Sequence, residues 1–210
     1  MLRQAVGVAA VLVLTAGCTS AEQPGARGSS GPTPDVRSLD LSDLPIARAP
    51  FCDLVDPGGV RQALEAPVAS SRSYEPGDTA EMVPGYTDVS DEYSCTFATA
   101  NDSQARVWVF AAPVTKAKAR GLARAAARTK GCQVPPSIRF GTPTITTLCE
   151  QPGDPVRTAA TMSGLFGDTW LSCQVSRPHD GVSTRGNPWE VLAQARQWCV
   201  DVVTTLGARP

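Results

Sequence analysis

Seven cysteines carry most of the chemistry this sequence offers. Cys18 stands alone at the end of an apolar stretch, while Cys52, Cys95, Cys132, Cys149, Cys173 and Cys199 are spread over the rest of the chain. Thiols in such numbers bind metal, shuttle electrons or form disulfides. The first two uses favour a C-x-x-C pair, and none occurs. His179 is the one histidine, so imidazole cannot complete a zinc site, and no metal or other cofactor is expected. An even set of cysteines after an export leader reads as disulfides. Six cysteines can pair in many ways; the expected pairing joins neighbours in sequence, Cys52 to Cys95, Cys132 to Cys149 and Cys173 to Cys199, each tying a helix or its edge to a strand. By loop entropy each bridge is worth about 3–4 kcal/mol.

Other reactive groups are poorly arranged for catalysis. His179 lies in "RPHDG", a turn sequence, and reads as a solvated loop residue rather than a general base. No nucleophile elbow, P-loop, H-E-x-x-H or dinucleotide fingerprint is present, and "SGLFG" reads as a hairpin turn. The acids Glu75, Asp78, Glu81, Asp88, Asp91 and Glu92 have oxygen ligands for calcium but not the spacing of a calcium loop, so a solvated acidic loop is expected. Carboxylates of this kind would also serve a glycosidase, if the fold set them at the required separation.

The densest charge lies at residues 116 to 130. Lys116, Lys118, Arg120, Arg124, Arg128 and Lys130 are six cations in fifteen residues with no acid among them. On a helix, Lys116, Arg120, Arg124, Arg128 and Lys130 share an arc of about 160°, opposite Ala119, Leu122 and Ala126. This face suits anionic lipid or an acidic wall polymer, although a solvated outer face is the plainer use of such a stripe. The whole chain has a formal charge of -1, which gives no reason to expect nucleic acid as a partner. Trp108, Phe110, Trp170, Trp189 and Trp198 have the chemistry to line a lipid or carbohydrate pocket. Their places in strand- or helix-like segments predict core packing instead.

These groups need an export signal and a scaffold. Residues 1–17 form a basic start at Arg3, an apolar run from Ala5 to Leu14 and small residues before Cys18, the pattern of a lipoprotein signal peptide. The run falls short of the ~20 residues of a membrane span. Thr-Ala-Gly-Cys resembles a bacterial lipobox, in which the Cys18 thiol receives a diacylglycerol. Residues 18–50 then form the lipidated cysteine and a linker whose Gly, Pro, Ser and Thr cannot sustain a core, holding the domain on the order of 30 Å from its anchor. The expected location is the extracytoplasmic face of the cell membrane.

Residues 51–210 read as one α+β domain. "DPGGVRQALE" predicts a helix capped by Asp56, and residues 67 to 91 a long surface loop with one edge strand at most. "EYSCTFATA" and "ARVWVFAAP" predict a hairpin, residues 115 to 130 a helix stopped by Gly131, and residues 143–149, 156–163 and 169–176 three short strands. Asn187, Pro188 and Glu190 open a closing helix, with Gly207 after its end. The simplest assembly is an antiparallel sheet with helices packed on one face, braced by disulfides.

At "FCDLVDPGGVRQALE" and "EYSCTF" the chain resembles actinobacterial cell-envelope lipoproteins built around a domain of unknown function. Cys52, Asp53, Leu54 and Pro57 take the places of that family's opening motif, and Cys95 and Phe97 those of its strand motif. The resemblance implies a Cys52–Cys95 bridge, an envelope location and no assigned activity. A weaker likeness is to extracytoplasmic sensor domains of bacterial receptor kinases. Together these readings point to a lipid-anchored envelope protein with a non-catalytic binding or sensing domain, partnered by the membrane, an acidic polymer or another envelope protein. The alternative is a carboxylate-dependent hydrolase of cell-wall or lipid substrates.

Overall fold

The computed structural model describes residues 40–83, 86–153, 155–179 and 187–208. The leader, Cys18 and the tether as far as residue 39 lie outside the described residues. A 3-10 turn at Cys52–Leu54 precedes α1 (Pro57–Leu64), β1 (Ser70–Tyr74), β2 (Thr79–Val83), β3 (Tyr86–Val89), β4 (Glu92–Ala98) and β5 (Gln104–Phe110). Then follow α2 (Lys116–Ala127), β6 (Cys132–Gln133), β7 (Thr144–Gln151), β8 (Arg157–Phe166), β9 (Thr169–Pro178) and α3 (Pro188–Gly207).

Local chemistry sets the helix starts. Asp56 accepts the Gly59 N–H at 2.7 Å and Pro57 opens α1. Thr115 accepts the Lys118 N–H at 3.2 Å, and Asn187 the Trp189 N–H at 3.0 Å. The ends shift slightly from expectation. Helix α2 stops at Ala127, where the Arg128 and Thr129 N–H groups take the Ala125 and Ala126 carbonyls, before Gly131 is reached. Gly207 is the last residue of α3 rather than its successor.

Seven strands form one antiparallel sheet in the order β1-β4-β5-β9-β8-β7-β6, and β2 pairs with β3 separately. Residues 67 to 91, expected as loop with one strand at most, thus supply the sheet edge β1 and a second hairpin. Register defines the two faces. On one, Cys95, Val107, Cys173 and Met162 form a row beside Phe97, Ala105, Val175 and Ala160. All are buried except the half-buried Phe97. Helix α3 crosses this face over β8 and β9, filling it with Val191, Leu192, Ala195, Trp198 and Val202. Each such fully buried side chain is worth roughly 1.5–3 kcal/mol. Helix α1 lies beside α3 and touches β5.

The other face carries Ser94, Trp108, Ser172 and Ser163 in one row and Thr96, Arg106, Gln174 and Thr161 in the next. Here α2 covers only one end, where Val114, Ala119 and Leu122 meet Leu165, Trp170, Phe110 and Ile145 in a second small cluster. The α+β sheet with packed helices is as expected, but the helices do not all share a face. The apolar stripe of α2 is narrow, and so is the patch it covers.

Packing begins before Phe51. Leu41 and Ile46 are buried in the main core, the Leu41 N–H donates to the Arg139 carbonyl at 2.9 Å, and the Thr169 hydroxyl donates to the Ile46 carbonyl at 2.8 Å. Residues 40–50, expected as part of the linker, therefore belong to the packed domain. A close approach also explains Gly164: a Cβ there would lie 1.7 Å from the Phe140 carbonyl oxygen.

Three disulfides brace the assembly. Cys52–Cys95 ties the 3-10 turn to β4, and Cys173–Cys199 ties β9 to α3. Cys132–Cys149 joins directly opposed residues of β6 and β7, so this bridge links two strands rather than a helix and a strand. Such a framework belongs to an oxidising, extracytoplasmic location. Among the described residues no helix is long and apolar enough to cross a membrane.

Candidate functional site

Three helices leave part of the seven-stranded sheet uncovered. Beyond α1, Pro67 and Val68 border the core face where Phe97 of β4 meets Ser71 of β1. The result is a groove of about 390 Å³ lined by Val55, Pro57, Val60, Arg61, Pro67, Val68, Ser71 and Phe97. Register puts Ser71 opposite Phe97, so the groove floor is the β1–β4 pair itself. Phe97 is held edge-on to Trp198, with ring centroids 6.3 Å apart. Val68 is 39% exposed, a large apolar side chain turned toward the opening. Arg61 is the one titratable residue of the lining.

A second cleft, of about 300 Å³, lies on the other side of α1 against α3. Its lining is polar: Gln62, Glu65, Gln194, Gln197 and Asp201 around Gly59, Ala63 and Trp198. Burial, outweighing a hydrogen bond from Gln197, pushes the Asp201 carboxyl above the ordinary aspartate value, and the Asp56 charge adds to that shift. Gly59 lies between the two acids: a Cβ there would make ordinary contacts, 3.6 Å from Asp56 Oδ2 and 3.8 Å from Asp201 Oδ2. Asp56 is exposed and already holds the α1 cap, so the two acids do not form a buried catalytic pair. Arg177 fixes the far end of α1, donating to Glu65 at 3.0 Å and to the Ala63 carbonyl at 3.2 Å, where a cation complements the helix dipole.

The expected acidic loop is divided. Asp78 accepts from the Glu75 N–H and Asp88 from the Val89 N–H. Asp91 is exposed, and the Glu81 side chain lies outside the described residues. Glu92 leaves the group: it is buried on the polar sheet face and ion-paired to Arg106, whose guanidinium lies 4.7 Å above the Trp108 ring. Burial raises the Glu92 pKa more than Arg106 lowers it, and Asp91 raises it further. Nothing in the sequence pattern flags this trio except the strand alternation that puts all three on one side.

Of the aromatics, Trp170 and Trp198 are core residues and Phe110 packs at the α2 end, as expected. Trp189 departs, being 62% exposed on the first turn of α3, outside the helix's buried stripe. His179 is half-buried rather than solvated, and its backbone N–H donates to the Val156 carbonyl at 2.7 Å, extending the β8–β9 pairing by one step. Lys116, Arg120 and Arg124 on α2, Arg128 at its cap and Lys130 beyond are all exposed, opposite Ala119 and Leu122. No protein-family model and no curated protein matches the chain.

Proposed function

We propose that this chain is a lipid-tethered extracytoplasmic binding protein of the cell envelope, and that its ligand lies in the groove beside α1. One observation carries the reading: a lining of Val55, Val60, Val68, Phe97 and two prolines holds a single titratable side chain, Arg61, at the groove. Such a lining suits an apolar chain or ring with an anionic end, and its one hydroxyl, Ser71, has no carboxylate or imidazole beside it in the lining. The leader ending at Cys18, the disulfides and the resemblance to envelope lipoproteins support the location. Native mass spectrometry of the purified mature protein tests the ligand. Wild type is expected to carry an apolar adduct that Val68→Trp, which fills the groove, loses while keeping its three disulfides. An adduct unaffected by Val68→Trp contradicts the groove assignment.

The hydrolase reading rests on Asp201, the raised carboxyl in the polar cleft. Asp201→Asn separates the two. Loss of a hydrolytic activity in this variant, with the groove ligand retained, favours the enzyme.

A further inference from the structure

The geometry points to a second contact with the membrane: the basic face of α2 docks onto the anionic surface of the bilayer that holds the lipid anchor. This inference rests on the tethered reading above, and its test is chosen to fail separately from it. The stripe of Lys116, Arg120, Arg124 and Arg128 runs about 18 Å along the helix. Among the described residues no ion pair accounts for it, since the pairs are made by Arg48, Arg106, Arg139, Arg157 and Arg177, none of them on this face.

The stripe also weakens its own helix. Lys116 with Arg120, Arg120 with Arg124, and Arg124 with Arg128 are like charges four residues apart, and each such pair is unfavourable. The first turn carries Lys116 and Lys118 and no acid, so cations face the positive end of the helix dipole. A helix whose outer face served only solubility would do better with mixed signs. Attraction to an anionic surface offsets these unfavourable terms.

Chain geometry selects the bilayer over other anions. The described residues begin at Asp40, which pairs with Arg139 at 2.8 Å, and Ser42 accepts a hydrogen bond from the Thr142 hydroxyl at 3.3 Å. The Thr142 N–H donates to the Leu165 carbonyl at 2.7 Å, and Leu165 packs under α2 with Ala119. A few residues on, Arg48 pairs with Asp168, whose carbonyl accepts the Val114 N–H just before α2 at 2.8 Å. The tether thus joins the domain at the sheet end that α2 covers. Twenty-one residues, 19 to 39, separate Cys18 from that end; the linker expected from their composition would reach on the order of 25 Å. On the tethered reading, a linker of that length would leave this end, and the basic face with it, within reach of headgroups.

The test uses the mature chain from residue 18 onward with Cys18→Ser, so that no acyl chain holds it. Co-sedimentation is measured with vesicles of phosphatidylcholine alone and of phosphatidylcholine mixed with phosphatidylglycerol. Binding is expected to need phosphatidylglycerol and to fall away as salt rises from ~0.05 to ~0.5 M. Arg124→Gln should weaken partitioning about fivefold, and Arg120→Gln, Arg124→Gln and Arg128→Gln together about a hundredfold. Arg72→Gln, an exposed charge on β1, should leave it unchanged, and the near-ultraviolet spectrum of every variant should match wild type. Equal binding to both vesicle types, no loss in the triple variant, or capture by soluble polyglutamate without binding to phosphatidylglycerol vesicles each overturns the proposal. Acylation of Cys18 is read independently, from the mass of membrane-derived protein.

Discussion

On one side of the sheet Val107, Cys173 and Met162 lie together in a dry row beneath α3. One residue along each strand, on the other side, lie Trp108, Ser172 and Ser163. The strands are the same; the alternation of side chains makes one side a core and the other a mostly polar surface. The Ser172 hydroxyl donates to Ser163 at 2.7 Å and the Gln174 amide to Thr161 at 2.8 Å, so cross-strand hydrogen bonds satisfy the buried and half-buried polar groups on this side, where the other side packs apolar groups. Stability is thereby concentrated on the face under α1 and α3. The polar face is left with α2, the basic stripe and the Glu92–Arg106–Trp108 trio.

The strongest way to break this comparison is Gly164→Ala on the core face. The new methyl would meet the Phe140 carbonyl, which is backbone and cannot turn away. No folded protein is expected, or a loss exceeding ~4 kcal/mol, read as exposed thiols or a collapsed urea midpoint. Next, Leu171→Ala, in the row of the Gly164 position and fully buried, should cost about 2–5 kcal/mol. Gln174→Ala removes one half-buried hydrogen bond from the polar face and should cost about 1 kcal/mol. Equal losses from Leu171→Ala and Gln174→Ala would erase the distinction between the faces.

The smallest effect concerns pH. The folded pKa of Glu92 is raised, so the stabilisation linked to it is complete below the ordinary glutamate value of 4.5 and is lost as pH rises through the folded value. Wild type should therefore lose stability relative to Glu92→Gln between about pH 4 and about pH 7. Urea midpoints measured at both pH values check this. A difference between the two proteins that does not move with pH contradicts it.

What could be read from the residues was local. Asp56-Pro57 and Asn187-Pro188 place helix starts because cap chemistry acts within a few residues. The hairpin of β4 and β5 shows in its alternating Val, Trp and Phe. Strand β1, "SSRSY", carries no such signal because an edge strand with mostly exposed side chains needs no apolar face. Leu41 and Ile46 look like stray apolar residues in a linker, and only the distant Arg139 and Thr169 show them to be core. Groove and cleft were illegible for the same reason. Each is a space between elements far apart in sequence, set by how α1 sits against α3 and the sheet. The basic face was readable as a face; the sheet end it occupies was not.

The central claim is that this is an exported, acyl-anchored and fully oxidised protein. Intact-mass analysis of material extracted from native membranes tests it most directly. The account predicts a chain beginning at residue 18, heavier by a diacylglyceryl group on that cysteine and lighter by the hydrogens of three disulfides. A soluble product with Met1 retained and thiols that react with iodoacetamide before any reduction would contradict it.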